Sequence, residues 1–309
     1  MNYRQYQSLV AERNAVAEML ERIPPEQVIS RKGASGRLAA IQAELDAVES
    51  APRRPLSGRL TFDGRPVIRS HGMFADFGAK AMAAFSDTVA VLTAAKSGAL
   101  ADSGPIPNRE QNQVLITGTA LGSFGFEIEE QPTQLADFGD KTPVAVALEE
   151  TIRLLESVAA SDDELTDAVA GLDRRVVRTL KNFLEVLASG EAICSLEVDG
   201  RRFGFTSVGQ VRNAVNRLAD DNIHEVEQTF FGEFIGCMPA SRQFEFHVAS
   251  DKQVIKGRIR SDVSQPELIN LHLNQPIQLP LTAIRAGNGR VKYVLRALPD
   301  WPDSEGKPS

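Results

Sequence analysis

A β-rich run near the carboxyl end, residues 223–298, constrains the fold of this chain more than any other stretch. Apolar residues alternate in it, as at Phe244, Phe246 and Val248, and a period of two is typical of half-buried strands. Turn sequences such as Gly287-Asn288-Gly289 separate the segments, so the pattern predicts a small closed or partly open antiparallel barrel. The predicted strands are residues 225–235, 243–248, 253–259, 277–281 and 290–298.

Two amphipathic helices are predicted at the amino end, over residues 3–23 and 37–49. Pro24-Pro25 ends the first because proline lacks an amide proton, and Ser35 is the predicted cap of the second. Helices this short do not form a stable coiled coil alone, so their apolar stripe must bury against the protein's own body or a partner. The partner-binding candidates on the stripe are Leu9, Val16, Leu20, Leu38, Ile41 and Leu45.

The next segment predicts a hairpin, a helix and a second hairpin. Two prolines indicate an extended linker at residues 51–55. Asp63-Gly64 between alternating residues is a strong hairpin signal, because both turn positions of such a hairpin need positive φ. A broad apolar face predicts a helix over 75–97, and a strand pair follows at 114–119 and 121–129.

A similar order returns later in the chain. Asp199-Gly200 lies between two strand-like segments and is followed by a predicted helix at 207–218. The tripeptide Asp-Gly-Arg occurs at 63–65 and 199–201, which indicates either a degenerate duplication or chance. The helices predicted between the two units, an acidic pair followed by a basic one, are residues 143–159, 162–171 and 173–189.

These elements predict an α+β fold, in which an N-terminal helical hairpin precedes a hairpin-helix-hairpin αβ domain. A helical connector leads to a C-terminal αβ domain that ends in a small antiparallel β-barrel. Residues after 298 are expected to be disordered, with Trp301 folding back onto the barrel as the alternative. The predicted segments are a 1–50 arm, a 56–131 αβ domain, a 142–190 connector, a 192–298 αβ domain and a 299–309 tail.

Composition and motifs favour a soluble protein without a recognisable catalytic site. The first residues lack the apolar core of a signal peptide, and free thiols at Cys194 and Cys237 are typical of the reducing cytoplasm. No Walker loop, nucleophile elbow or zinc-binding motif occurs, and the four histidines are scattered. We therefore expect no cofactor and no metal. The net charge of −7 argues against a surface that grips nucleic acid everywhere.

Three classes of function remain, and the favoured one is a non-enzymatic binding or assembly subunit. It is expected to act through protein contacts, with the helical arm making a homo-oligomer or binding another protein. The first alternative is a single-stranded nucleic acid or RNA binder that uses the barrel. Its candidate residues are Lys256, Arg258, Arg260 and Tyr293, with Phe244 as a further stacking candidate. The second is a hydrolase whose site, around His71 or His224, has no visible motif.

Overall fold

A computed structural model of the chain describes residues 3–48, 54–98, 100–101, 103–120, 124–131 and 141–301. The fold is α+β, as the sequence predicts, with amino-terminal helices and a closed β-barrel in the carboxyl-terminal region. The described residues divide into two compact units, one within 1–56 and 130–142 and the other within 57–129 and 143–309. No helix in the described part of the chain has the length and hydrophobicity that a bilayer crossing requires.

The helices follow the predicted order along the chain. They are α1 (Tyr3–Arg22), α2 (Val28–Asp46), α3 (Ala75–Ser97), α4 (Pro143–Ala159), α5 (Asp162–Val169), α6 (Arg174–Ser189) and α7 (Val208–Arg217). The strands are β1 (Ser57–Gly64), β2 (Val67–Ile68), β3 (Gly72–Met73), β4 (Val114–Ala120), β5 (Phe124–Glu130), β6 (Ala192–Val198), β7 (Arg201–Gly204), β8 (Ile223–Met238), β9 (Gln243–Val248), β10 (Val254–Ile259), β11 (Ile277–Ala286) and β12 (Lys292–Leu295).

Helix α2 begins earlier than the sequence predicts, at Val28 instead of near residue 37. The expected cap, Ser35, lies inside the helix, and its hydroxyl donates to the carbonyl of Lys32 at 3.2 Å. Gly33 and Gly36 are tolerated although a glycine in a helix interior costs about 1 kcal/mol relative to alanine. Tertiary contact with α1 therefore outweighs the low helix propensity of this segment.

One layer of the second unit is a five-stranded sheet with the order β4-β5-β1-β6-β7. Strand β1 lies between β5 and β6, so Leu60 is paired with Phe126 on one side and with Leu196 on the other. The segments 56–131 and 192–298, predicted to be separate domains, therefore contribute to one sheet. The connector helices α4 and α6 pack on β6 instead of spanning two bodies.

The two Asp-Gly sequences form different structures. Asp199 and Gly200 have φ of 51° and 77°, and they make the predicted two-residue turn between β6 and β7. The hairpin predicted at Asp63-Gly64 does not form, because both edges of β1 are occupied by β5 and β6. The short strand that follows, β2, pairs with β3 instead.

Aromatic side chains join the helices to the sheet. The rings of Phe62 on β1 and Phe77 on α3 meet edge to face with centroids 5.5 Å apart. Phe85 of α3 contacts Phe183 of α6 in the same manner at 5.7 Å. All of these side chains are buried, so the helices cover one face of the sheet and close a single core with it.

The barrel closes in the order β10-β12-β11-β8-β9, with β9 paired to β10. Its strand pairs are antiparallel except β10 with β12, which makes it a Greek-key barrel of the kind found in OB-folds. Phe234, Phe244 and Phe246 fill the interior. Trp301 packs against this core, and its ring stacks on that of His272 with centroids 4.4 Å apart. The other residues of the predicted tail, 302–309, lie outside the described residues.

Candidate protein-binding surfaces

The helical arm is a hairpin in which α1 and α2 contact each other along their length. The guanidinium group of Arg31 donates to the carbonyl of Ile23 at 2.8 Å, which satisfies an open carbonyl at the end of α1. Arg37 forms an ion pair with Glu12 at 2.5 Å, and the hydrogen bond and charge of Glu12 raise the pKa of Arg37. These contacts fix an antiparallel register.

The six predicted partner-binding residues lie on the helices as expected, but they differ in accessibility. Ile41 and Leu45 are buried, and the other four are half-buried: Leu9, Val16, Leu20 and Leu38. Their role in binding stays a prediction. Their burial indicates that part of the stripe already serves the chain's own folding.

Apolar residues that the sequence analysis missed are exposed near the closed end of the hairpin. Val28 is 68% exposed, Ile29 is 89% exposed, and Met19 of α1 is 57% exposed. A shallow groove of about 480 Å³ runs beside Met19 and Ile23. The sequence pattern places Val28 and Ile29 in the loop before the second helix, which is predicted to begin at residue 37. Helix α2 begins at Val28, so both residues lie in its first turn.

The predicted basic row of the barrel shares one face, because Lys256 and Arg258 alternate with buried residues along β10. Two of its three bases are neutralised by neighbouring carboxylates. Lys256 forms an ion pair with Glu245 at 2.8 Å, which raises the pKa of the lysine. Arg260 contacts Asp173 at 3.3 Å, and its side chain is only 21% exposed. Pairing with Glu245 of the neighbouring strand and with Asp173 at the start of α6 therefore removes much of the positive charge that the sequence suggests.

The aromatic candidates for base stacking face the interior of the barrel. Phe244 is 1% exposed and lies in the core, so its ring is not available to a ligand. Tyr293 is half-buried, and its ring meets Phe230 edge to face at 5.4 Å. A stacking platform on the outer face would need rings that point away from this core.

A cleft of about 240 Å³ is lined by charged residues from α6 and the barrel. Glu225 is its central acid and forms ion pairs with Arg174 at 2.9 Å and Arg296 at 2.5 Å. Burial favours a raised pKa for Glu225, but the hydrogen bonds and charges of the two arginines outweigh it and lower the pKa. The arginine and carboxylate groups balance one another, which is typical of a structural network that joins the barrel to α6.

The acidic start of α5 holds the turn between β11 and β12. The carboxylate of Asp162 accepts a hydrogen bond from the amide of Asn288, and that of Asp163 accepts one from the amide of Arg290. Further along α5, Asp167 forms an ion pair with Lys292 at 2.8 Å. Loops at this position of a Greek-key barrel bind oligonucleotides in OB-folds, and here the turn is occupied by the protein's own helix.

The residues considered for catalysis do not converge. His71 is exposed in the turn between β2 and β3, and His224 is exposed on β8. Cys194 is buried, and burial raises the pKa of its thiol to about 12, so it is not a ready nucleophile. Within the described ranges, no three His, Cys, Asp or Glu side chains are placed to hold a metal ion.

Comparison with known proteins adds no further constraint. The chain matches no known protein family, no curated protein and no solved structure. Its function must therefore be argued from its own surfaces.

Proposed function

We propose that this chain is a binding or assembly subunit that acts through protein contacts, with the hairpin of α1 and α2 as its arm. The observation that carries the proposal is the exposure of two adjacent large apolar residues, Val28 at 68% and Ile29 at 89%. A monomeric protein exposes single apolar residues without consequence, but Val28 and Ile29 are adjacent, and Met19 of α1 is a third exposed apolar residue of the same hairpin.

The charge distribution of α2 favours a second copy of the chain as the occupant of this patch. Arg31 and Lys32 lie near the start of the helix, whereas Glu44 and Asp46 lie near its end. Two copies that pack antiparallel across a two-fold axis bring the basic start of one helix against the acidic end of the other. Parallel packing places like charges together.

The expected affinity is modest. Full burial of a valine or isoleucine side chain contributes about 1.5–3 kcal/mol, so Val28 and Ile29 from two copies contribute roughly 6–12 kcal/mol. Association costs on the order of 4–15 kcal/mol in lost translational and rotational freedom. The two ranges overlap, so the apolar patch roughly offsets the cost of association, and a weak, concentration-dependent dimer is expected.

Sedimentation velocity at several protein concentrations tests the proposal. The wild-type chain is expected to shift from monomer to dimer, and the double variant Val28→Ser/Ile29→Ser is expected to remain monomeric. Ile116→Ser is the control, because Ile116 is also a large exposed apolar residue, at 54%, but lies on β4. This control is expected to associate like the wild type.

Charge reversal tests the antiparallel arrangement. Lys32→Glu is expected to weaken the dimer about tenfold, since it brings like charges together, and the addition of Asp46→Lys is expected to restore it. A wild-type chain that stays monomeric at all concentrations overturns the proposal. So does a Val28→Ser/Ile29→Ser variant that associates as well as the wild type.

A second candidate is single-stranded nucleic acid or RNA binding through the barrel, and Arg258 is the observation that favours it. Arg258 is exposed, and no carboxylate among the described residues lies within ion-pair distance of it. One such base gives weak electrostatic attraction. A gel shift at low salt that disappears in Arg258→Ala supports this candidate, and the absence of any shift at low salt removes it.

A further inference from the structure

Strand β8 exchanges one neighbour for another along its length. From Ile223 to Gly232 it pairs with β11, and from Gly232 to Met238 it pairs with β9. In the first part of β8, the edge that faces away from β11 therefore lies before the segment that pairs with β9. In the part of the chain that the structure describes, no strand pairs with this edge.

The backbone groups on this edge can be assigned from the register. The carbonyl of Phe231 accepts a hydrogen bond from the amide of Ala249 at 2.9 Å, so it points away from β11. Residues two apart in a strand present their backbone groups to the same side, which places those of Thr229 and Glu227 on the open edge. Pro280, opposite Thr229, has no N–H to donate, as expected where paired residues exchange no hydrogen bonds.

The open edge is accessible. All residues from Val226 to Thr229 are exposed, and the large side chains of Val226 and Phe231 are 54% and 56% exposed. Exposed edges are commonly protected by lysine, proline or a bulge, and the segment 225–230 contains no lysine or proline. The bulge of β8 lies beyond it, between Phe234 and Gly236.

The charge next to the edge favours a basic occupant. Glu225 is neutralised by two arginines, and Glu233 lies 3.6 Å from His247. Glu227 lines the same cleft as Arg174 and Arg296, but it is exposed and forms no ion pair with a described residue. A basic side chain beside Glu227 gains electrostatic attraction, and an apolar one on the opposite face fits against Val226.

We propose that the open edge of β8, residues 225–229, binds an extended segment of a partner protein by strand addition, and that this segment alternates basic and apolar residues. Backbone hydrogen bonds to Glu225, Glu227 and Thr229 supply affinity, and the side chains of Glu227 and Val226, on opposite faces of the strand, supply preference. This site is separate from the arm. It gives the chain a binding surface for a second kind of protein.

A peptide probe tests the site directly. The probe is a blocked six-residue peptide of alternating valine and lysine, and its control carries N-methyl groups on the amides that face the protein. Fluorescence anisotropy measures the dissociation constant, and amide hydrogen exchange followed by NMR identifies the bound edge. The unmodified peptide is expected to protect the amides of Glu227 and Thr229, and the N-methylated peptide is expected to bind at least about tenfold more weakly.

Two variants separate the backbone and charge contributions. Glu227→Pro removes the backbone N–H of residue 227, which points to the open edge and makes no hydrogen bond to β11. The melting temperature is therefore expected to stay nearly unchanged, whereas peptide binding is expected to be abolished. Glu227→Gln is expected to weaken the lysine peptide but not a valine–threonine peptide of equal length. Circular dichroism melts verify that both variants are folded.

Several outcomes overturn the proposal. They are failure of the lysine peptide to bind, equal binding by Glu227→Pro, and protection confined to other amides. Self-association of the wild type that Glu227→Pro abolishes also overturns it, in favour of a second copy on this edge. All measurements are repeated in the Val28→Ser/Ile29→Ser background, so that failure of the arm and failure of the edge are distinguished.

Discussion

Asp162 accepts a hydrogen bond at 3.1 Å from the backbone amide of Asn288, which lies 126 residues later in the chain. The same carboxylate accepts a second bond at 2.9 Å from Arg217. Asp162 thus connects the first turn of α5 with the β11–β12 turn of the barrel and with the end of α7. The contact shows how the acidic segment, which in the sequence resembles a solvated surface, holds the second unit together.

Replacement of Asp162 by alanine is expected to destabilise the protein by about 1 kcal/mol. Charge-assisted hydrogen bonds contribute roughly 1.5–3 kcal/mol when buried, and partial exposure of this carboxylate, 37%, reduces that value. Urea unfolding followed by Trp301 fluorescence measures the change. Asp167→Asn is the control, because its exposed ion pair with Lys292 is expected to contribute only a few tenths of a kcal/mol.

The contribution of Asp162 is expected to depend on pH. The amide of Asn288, followed by Arg217, lowers the pKa of Asp162 below its ordinary value of 3.8. The stabilisation is therefore fully present above the unfolded pKa near 3.8 and is lost as the pH falls through the lower folded pKa. A stability difference between wild type and Asp162→Ala that persists undiminished in strong acid contradicts this assignment.

Cys194 is expected to make the protein less stable in alkali. Burial raises the pKa of its thiol from 9.0 to about 12, so the unfolded chain loses this proton before the folded chain does. The free energy of unfolding should then fall by up to about 1.4 kcal/mol per pH unit from pH 9 upward. Comparison of urea midpoints with Cys194→Ala isolates the contribution, since other groups titrate equally in both proteins.

Thiol labelling provides an independent measurement on the same residue. In a Cys237→Ser background, Cys194 is expected to react with a thiol reagent only when the protein unfolds, because it is 2% exposed. Labelling should therefore accelerate with urea in parallel with unfolding. Fast labelling of the native protein at neutral pH contradicts the buried position of Cys194.

Local patterns in the sequence predicted the elements well. The period of two identified β9 at residues 243–248, and the proline at the first turn identified α4 at 143–159. The capping box at Ser161 and Glu164 is another local signal, at the start of the helix predicted over 162–171. Each of these signals depends on residues a few positions apart, so the sequence alone contains the information.

Partners distant in sequence could not be predicted in the same way. The turn at Asp63-Gly64 carries the same local signal as Asp199-Gly200, but pairing of β1 with β6 overrides it. Lys256 and Arg258 share one face of β10, yet neutralisation of Lys256 depends on its register with Glu245 across two strands. A candidate site read from one strand therefore omits the charges that its neighbours contribute.

Trp301, the single tryptophan of the chain, tests how firmly the end of the described chain is held to the barrel. Its ring stacks on His272 with an angle of 14° between the ring planes, and its indole Nε1 is buried with no acceptor among the described residues. A buried N–H without an acceptor costs roughly 1–3 kcal/mol, whereas the packed ring stabilises the barrel. Trp301→Ala is expected to lower the free energy of unfolding by about 1–2 kcal/mol, since it removes apolar contact.

Trp301→Phe keeps a stacked ring and removes the unpaired N–H, so it is expected to be at least as stable as the wild type in urea unfolding followed by circular dichroism. If phenylalanine proves as destabilising as alanine, the indole N–H has a partner in solution and this assignment is wrong.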